Sequence, residues 1–247
     1  MSQHPAPPSH PAGPAAMLAL YRARAAHYDD ELAPFEPLRA AAIERLQLQP
    51  GQTVLDMGCG TGLSLLPLLQ RLGPRGRIVG IEPCPDMLAR ARERLTPAQR
   101  PQVRLVQASA EGARWRGNAD AALLHFTHDI VCHPGALDNV FAHLKPGARV
   151  VATGLQWAPP WAMAVNALVL GSALYSISSL KGLDRPWSGL AQRLQNLVVT
   201  PEWLGSVYIA SGTVPPGMAP GGLRRTRQRA GGASASGAAG ARKKVVM

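Results

Sequence analysis

The sequence has few of the features that mark a secreted, metal-bound or membrane-spanning chain. Three cysteines, Cys59, Cys84 and Cys132, are spread through 247 residues. They form neither a disulfide framework nor a CxxC metal spacing, which fits a reducing, cytoplasmic setting and no metal. No positively charged region followed by an apolar core opens the chain, so no secretory leader is expected. Residues 150–180 contain no Asp, Glu, Lys or Arg. Their most apolar part, Trp161–Tyr175, is shorter than the ~20 residues a bilayer span needs and is broken by Asn166 and serine. Two readings remain for it: a buried or capping helix, or a helix lying in a membrane interface, which would make the protein peripheral to the membrane.

Acidic side chains are also absent from residues 221–247, where Arg224, Arg225, Arg227, Arg229, Arg242, Lys243 and Lys244 stand. Of the formal net charge of +11, this tail carries +7. The basic character therefore belongs mostly to an extension. A like-charge block of this kind reads either as a solvated, disordered tail or as a contact to nucleic acid or an anionic membrane. At the other end, Pro5, Pro7, Pro8, Pro11 and Pro14 fall in an uncharged stretch. The expected organisation is a disordered Pro-rich leader (1–16), one folded domain (17–213) and a disordered basic Gly/Ala/Ser/Arg-rich tail (214–247). A hydrophobic share of 46% suits a soluble core of ordinary size.

Between the ends, short apolar runs alternate with helical patterns. The runs Thr53–Met57, Arg77–Glu82, Val103–Gln107, Ala119–Phe126 and Ala148–Gly154 are bounded by Gly, Pro or charge, as strands covered on both faces are. Helical patterns occupy Leu63–Arg71, Pro85–Leu95 and Pro134–Leu144. The alternation predicts an α/β, Rossmann-like, doubly wound and mostly parallel sheet.

The chemistry starts where the first strand ends, at Asp56-Met57-Gly58-Cys59-Gly60-Thr61-Gly62. An acid, a glycine turn and a helix start make a place where backbone approaches a ligand and free N–H groups meet an anion. The dinucleotide fingerprint GxGxxG would put its third glycine at position 63, and that residue is Leu63. An NAD(P) oxidoreductase is thereby disfavoured, though it stays a rival.

Glu82 follows 26 residues after Asp56, about one βαβ step, which brings it near the topological switch point. After it come Pro83-Cys84-Pro85-Asp86-Met87-Leu88, then Gln107-Ala108-Ser109-Ala110-Glu111, then the fourth strand ending in His125-Phe126, then Leu144-Lys145-Pro146-Gly147. Taken in order, these motifs resemble the class I S-adenosylmethionine-dependent methyltransferases, and within them the branch that modifies small molecules and lipids. The resemblance runs from about Tyr21 to Gly212. It implies a seven-stranded sheet closed by a C-terminal antiparallel hairpin, from Leu197–Thr200 and Ser206–Ser211, and S-adenosyl-L-methionine as cofactor.

By the same resemblance, Asp56 and the backbone of Gly58, Cys59, Gly60 and Gly62 hold the methionine end, and Glu82 accepts hydrogen bonds from both ribose hydroxyls. Pro83 and Met87 pack near the adenine, with Ser109 and Ala110 at its edge. Ser109 stands where the family has an acid. His125 ends the strand that faces the reacting methyl, and Tyr28-Asp29 resemble a flap over the cofactor.

Methyl transfer from a sulfonium needs alignment and water exclusion more than a dedicated nucleophile. His125, Thr127, His128 and Asp129 stand at the site mouth, and His128 or His125 is the candidate general base. Cys59 is read as a small side chain inside the turn, and Trp157 and Trp161 as core or lid residues. The acceptor is expected to be a small molecule, lipid-like if the uncharged segment lines its pocket. The alternative from another class is a cofactor-binding or RNA-associating protein without turnover.

Overall fold

A computed structural model of the protein describes residues 28–217. The expected leader (1–16) and residues 218–247 of the expected tail lie outside the described residues. Seven strands form one sheet in the order β3-β2-β1-β4-β5-β7-β6. They are β1 (Thr53–Met57), β2 (Arg77–Glu82), β3 (Val103–Gln107), β4 (Ala119–His125), β5 (Leu144–Leu155), β6 (Gln195–Glu202) and β7 (Val207–Thr213). β1 to β5 pair in parallel, whereas β7 runs antiparallel to both β5 and β6. The α/β sheet with its closing hairpin is the expected one.

Both faces of the sheet are covered. After the short α1 (Tyr28–Leu32), one face meets α2 (Glu36–Arg45), α3 (Leu65–Leu72) and α4 (Pro85–Glu93). Here Val54, Ile78, Leu123 and Val151 pack against Leu38, Ile43, Leu65 and Leu68. α3 buries Leu65, Leu68, Leu69 and Leu72, one stripe at i, i+3, i+4 and i+7. The other face carries the short α5 (His128–Val131), then α6 (Pro134–Ala142), whose Leu137, Val140 and Phe141 pack on Leu55, Ile81, Leu124 and Val150. Alternate residues of the central strands β1, β2, β4 and β5 thus serve opposite cores, which is why those runs are mainly apolar, whereas the edge strands β3 and β6 are part-exposed.

β5 begins at Leu144, earlier than the expected Ala148, because Leu144 aligns with Ala119 before a register shift in β4. Past Thr213 the chain stays attached: Val214 is buried and exchanges backbone bonds with Ala148 and Gly147.

The uncharged segment forms α7 (Met163–Ser176), followed by the short α8 (Ser188–Ala191). Of the buried-or-capping reading of this helix, the burial is corrected. Only Val169 and Ala173 of α7 are buried, while Met163 is 78% and Leu168 73% exposed. A helix apolar all round has no polar face to turn outward, and α7 meets its own protein along a single narrow stripe. Trp157 packs at that stripe, beside Ala173, Ile177 and Leu183, whereas Trp161 is exposed. Among the described residues no helix is long and apolar enough to cross a membrane.

Candidate active site

The C-terminal ends of β1, β2 and β4 meet at one edge of the sheet, where the strand order reverses direction. Leaving β1, the chain turns sharply so that the N–H groups of Gly58 and Cys59 both donate to the Ile81 carbonyl, at 2.8 and 3.0 Å. Gly58 and Gly62 hold φ of +69° and +81°. A Cβ on Gly58 would lie 2.5 Å from Thr127 Cγ2, and one on Gly62 would meet Leu65 Cδ1 at 2.7 Å and Ala91 Cβ at 3.0 Å. Glycine is needed at both, for backbone shape and for space.

Glu82 ends β2 directly across this turn. Its Oε2 accepts from Gly60 N at 3.2 Å and its Oε1 from Cys84 N at 2.9 Å. Each oxygen uses one bond, and a carboxylate has about four acceptor positions, so lone pairs remain for a ligand. Burial raises the Glu82 pKa, against the two N–H groups that lower it. Burial also pushes the Asp56 carboxyl up to about 7; the Arg39 guanidinium draws it back and the Glu82 charge adds to the rise. Asp56 Oδ2 is buried without a hydrogen-bond partner. Cys59 is buried, and burial together with Asp56 and Glu82 pushes its thiol well up, which fits a spacer and not a nucleophile. Met87 is buried in the first turn of α4, Pro83 is exposed, and Ala110 belongs to the core. Ser109 Oγ accepts from Gly112 N at 3.2 Å, so the expected adenine-edge hydroxyl already closes its own turn.

The two histidines differ. His125 Nδ1 lies 2.5 Å from Thr153 Oγ1, and its Nε2 is buried without a partner. Burial, with the Arg39 charge adding, holds this ring down at a pKa of about 3, so it is neutral at ordinary pH. His128 is buried and its Nε2 faces the Lys181 carbonyl at 3.2 Å. A carbonyl only accepts, which suits a proton on Nε2, and the Cys132 thiol stands 3.5 Å from the same nitrogen and 3.9 Å from Nδ1. Asp129 is taken up by the backbone N–H and hydroxyl of Ser178, and Thr127 Oγ1 is a further buried atom without a partner.

Some residues of this region were missed by sequence reasoning. Arg39, on α2, is buried, pairs with Glu36 and keeps Nε unpartnered. It is the charge that acts on both Asp56 and His125. No motif covers α2, and an arginine in an amphipathic helix gives no sign that it will be buried. Asp29 of the expected flap pairs with Arg94, and accepts from Thr61 Oγ1 at 2.6 Å, while Arg94 Nε donates to the Thr61 carbonyl at 2.6 Å. The segment before β1 is thereby tied to the glycine turn. Phe35, Phe126 and Trp203 line up beside His125, with centroid separations of 4.9 Å (His125–Phe126), 5.1 Å (Phe35–Phe126) and 4.9 Å (Phe35–Trp203). Phe126 holds φ of +54°, and Trp203 and Leu204 hold +47° and +55°. Such values are strained for bulky side chains, and strain of this kind gathers at working sites.

The residues present fit S-adenosylmethionine. Its diol would meet the spare lone pairs of Glu82, its ammonium the unpartnered Asp56 Oδ2, and the glycine cradle leaves room that a Cβ would fill. The comparisons with known proteins point the same way. Residues 54–147 match the family model described as a methyltransferase domain. That match takes in less than half of the chain, and the seven-stranded sheet around it has the fold of solved methyltransferases.

Among particular relatives, demethylmenaquinone methyltransferase of Oceanobacillus iheyensis is 28% identical over 115 residues, covering 46% of this chain and 48% of that protein. An uncharacterized 37.1 kDa protein in transposon Tn4556 of Streptomyces fradiae is 30% identical over 138 residues, 53% of this chain and 39% of that protein. The chain thus spans about half, or less, of the curated relatives it matches. The N-methyltransferase NodS of Bradyrhizobium japonicum, solved with S-adenosyl-L-homocysteine, superposes with a TM-score of 0.59 at 17% identity, over 81% of this chain and 98% of that one.

Proposed function

We propose that the protein transfers a methyl group from S-adenosylmethionine to a small, apolar acceptor. The observation that carries the cofactor is Glu82, held between the N–H groups of Gly60 and Cys84 and facing an unpartnered Asp56 carboxylate across the glycine turn. Glu82 would hold the ribose hydroxyls, Asp56 with the Gly58–Gly62 backbone the methionine end, and Met87 with Pro83 and Ala110 the adenine surroundings. The bound sulfonium brings the methyl and its own leaving group. What the chain adds is position, dryness and, for an acceptor with a proton to lose, a base. The neutral state imposed on His125 makes it a weak base, which leaves His128, bonded at Nε2 to the Lys181 carbonyl, as the candidate base.

The acceptor is read from the side chains that flank the glycine turn and His125. The aromatic row Phe35–Phe126–Trp203 and the uncharged α7 offer ring faces and aliphatic surface and no ion pair to a polar substrate. The name of the Oceanobacillus relative supports an acceptor of the demethylmenaquinone kind. The exposed apolar side chains of α7 also suit a protein that rests on a membrane and takes its acceptor from it.

Thermal melting with S-adenosylmethionine, its demethylated product and NAD tests the cofactor. A ligand at ~100 times its dissociation constant stabilises by about 2.7 kcal/mol. Glu82→Ala should lose most of the shift given by the first two, and an undiminished shift removes the ribose role. With an acceptor in hand, His128→Gln should lower kcat by about 10²-fold or more. An unaltered pH–rate profile in that variant removes the base role.

A further inference from the structure

At the other end of the strands the surface has a different chemistry. A cleft of about 260 Å³ opens at the N-terminal ends of β1, β2 and β3, lined among others by Thr53, Arg77, Gln102, Arg104, Arg116 and Asn118. Beside it, and sharing Val103, a second cleft of about 360 Å³ lies between α4 and β3 and is lined by Arg92 and Arg100 with Leu95 and Leu105. No carboxylate lines either one. All five arginines are exposed, and the ion pairs among the described residues engage other cations: Arg39, Arg45, Arg94, His133, Lys145 and Arg193. Residues 71–116 hold ten arginines against four carboxylates, one of them the buried Glu82. The five cleft arginines lie along one sheet edge, β3 being the terminal strand.

We infer that these two clefts dock the phosphodiester backbone of a single-stranded nucleic acid. Exposed guanidinium groups without counter-ions are bidentate phosphate donors, and a row of them follows a chain of phosphates better than a single anion. Two adjoining clefts that share Val103 offer one strand a continuous path. Residues 221–247, outside the described residues, hold seven cations and no acid, so the test keeps them constant while the clefts are changed. A lipid bilayer is the poorer partner. The apolar side chains able to enter it, Trp161, Met163, Leu168 and Leu204, all lie at the opposite end of the strands, and one flat surface cannot touch both. This site is separate from the methyl-transfer reading and does not depend on it.

The test uses the full chain and a fluorescein-labelled, mixed-sequence RNA of 20 nucleotides, followed by anisotropy across a salt series. Binding to single strands weakens with log salt at a slope of roughly 0.7 per phosphate contact. The variant R92E/R100E/R104E/R116E keeps the tail and should lower that slope by about 3, with an affinity loss on the order of 10³-fold near 0.1 M salt. If it folds poorly, judged by circular dichroism, R104Q/R116Q and R92Q/R100Q are compared instead, each expected to remove about half of that slope change. Three results overturn the inference: no RNA binding by the parent, equal slopes in parent and variants (the tail alone then binds), or binding to phosphatidylserine vesicles in place of RNA.

Discussion

Asp56 and His125 share one arginine and respond to pH in opposite directions. The folded Asp56 carboxyl keeps its proton to about pH 7, whereas an unfolded one releases it at 3.8. The folded state therefore binds more protons between these values, and stability from this group falls as pH rises through them. His125 works the other way. Its folded ring refuses a proton down to about pH 3, while an unfolded one takes it at 6.5, so stability is lost as pH falls below 6.5. Asp56→Asn isolates the first effect. The variant should melt at a higher temperature than the parent above pH 7, with the difference shrinking to nothing near pH 4, and it should bind S-adenosylmethionine more weakly. A melting difference that is the same at pH 4 and pH 8 would show that the buried charge is not its source. The parent keeps an ionisable group where a neutral one is more stable, which is the usual mark of a residue retained for a ligand.

At the level of elements, the glycine turn is the least replaceable piece. At Gly62 a Cβ would meet Leu65 Cδ1, Ala91 Cβ and the Ala91 backbone at 2.7–3.1 Å, with φ at +81°. Left-handed backbone costs about 1–2 kcal/mol and an overpacked core about 1–3 more. Gly62→Ala should destabilise by about 3 kcal/mol, read as a melting temperature lowered by roughly 6–12 °C. A loss under ~1 kcal/mol would mean that α3 and α4 can part more easily than their packing indicates.

The same turn was legible beforehand, and so were β1, β2 and β3 with their observed ends, because each is a short, mainly apolar run; β1 and β2 are buried on both sides, and the edge strand β3 only in part. Glu82 was legible for the same reason, lying one crossover past Asp56. Other features depend on distance in space and leave no local sign. Arg94 reads as a cation near a helix C-terminus, yet it reaches Asp29, 65 positions away. Arg39 lies outside every motif. The exposure of α7 contradicts its composition, since hydropathy reports what a segment prefers and not whether the fold offers it cover.

The whole molecule has two unlike poles. Glycine turn, aromatic row and α7 gather at the C-terminal ends of the parallel strands, and arginines at their N-terminal ends. If the apolar pole rests on a bilayer, Leu168→Ser with Leu174→Ser should reduce co-sedimentation with neutral phosphatidylcholine vesicles by more than tenfold, since each buried leucine is worth about 1.5–3 kcal/mol. Equal sedimentation of parent and variant would leave α7 needing some other cover. The aromatic row also bears on how the chain is made. Its members stand at positions 35, 126 and 203, so the row joins an early helical turn, the exit from the fourth strand and the bend of the final hairpin. During synthesis on a ribosome the first five strands can pair well before Trp203 emerges. A nascent protein would therefore possess its glycine elbow for some seconds before the last ring of the row arrives beside it.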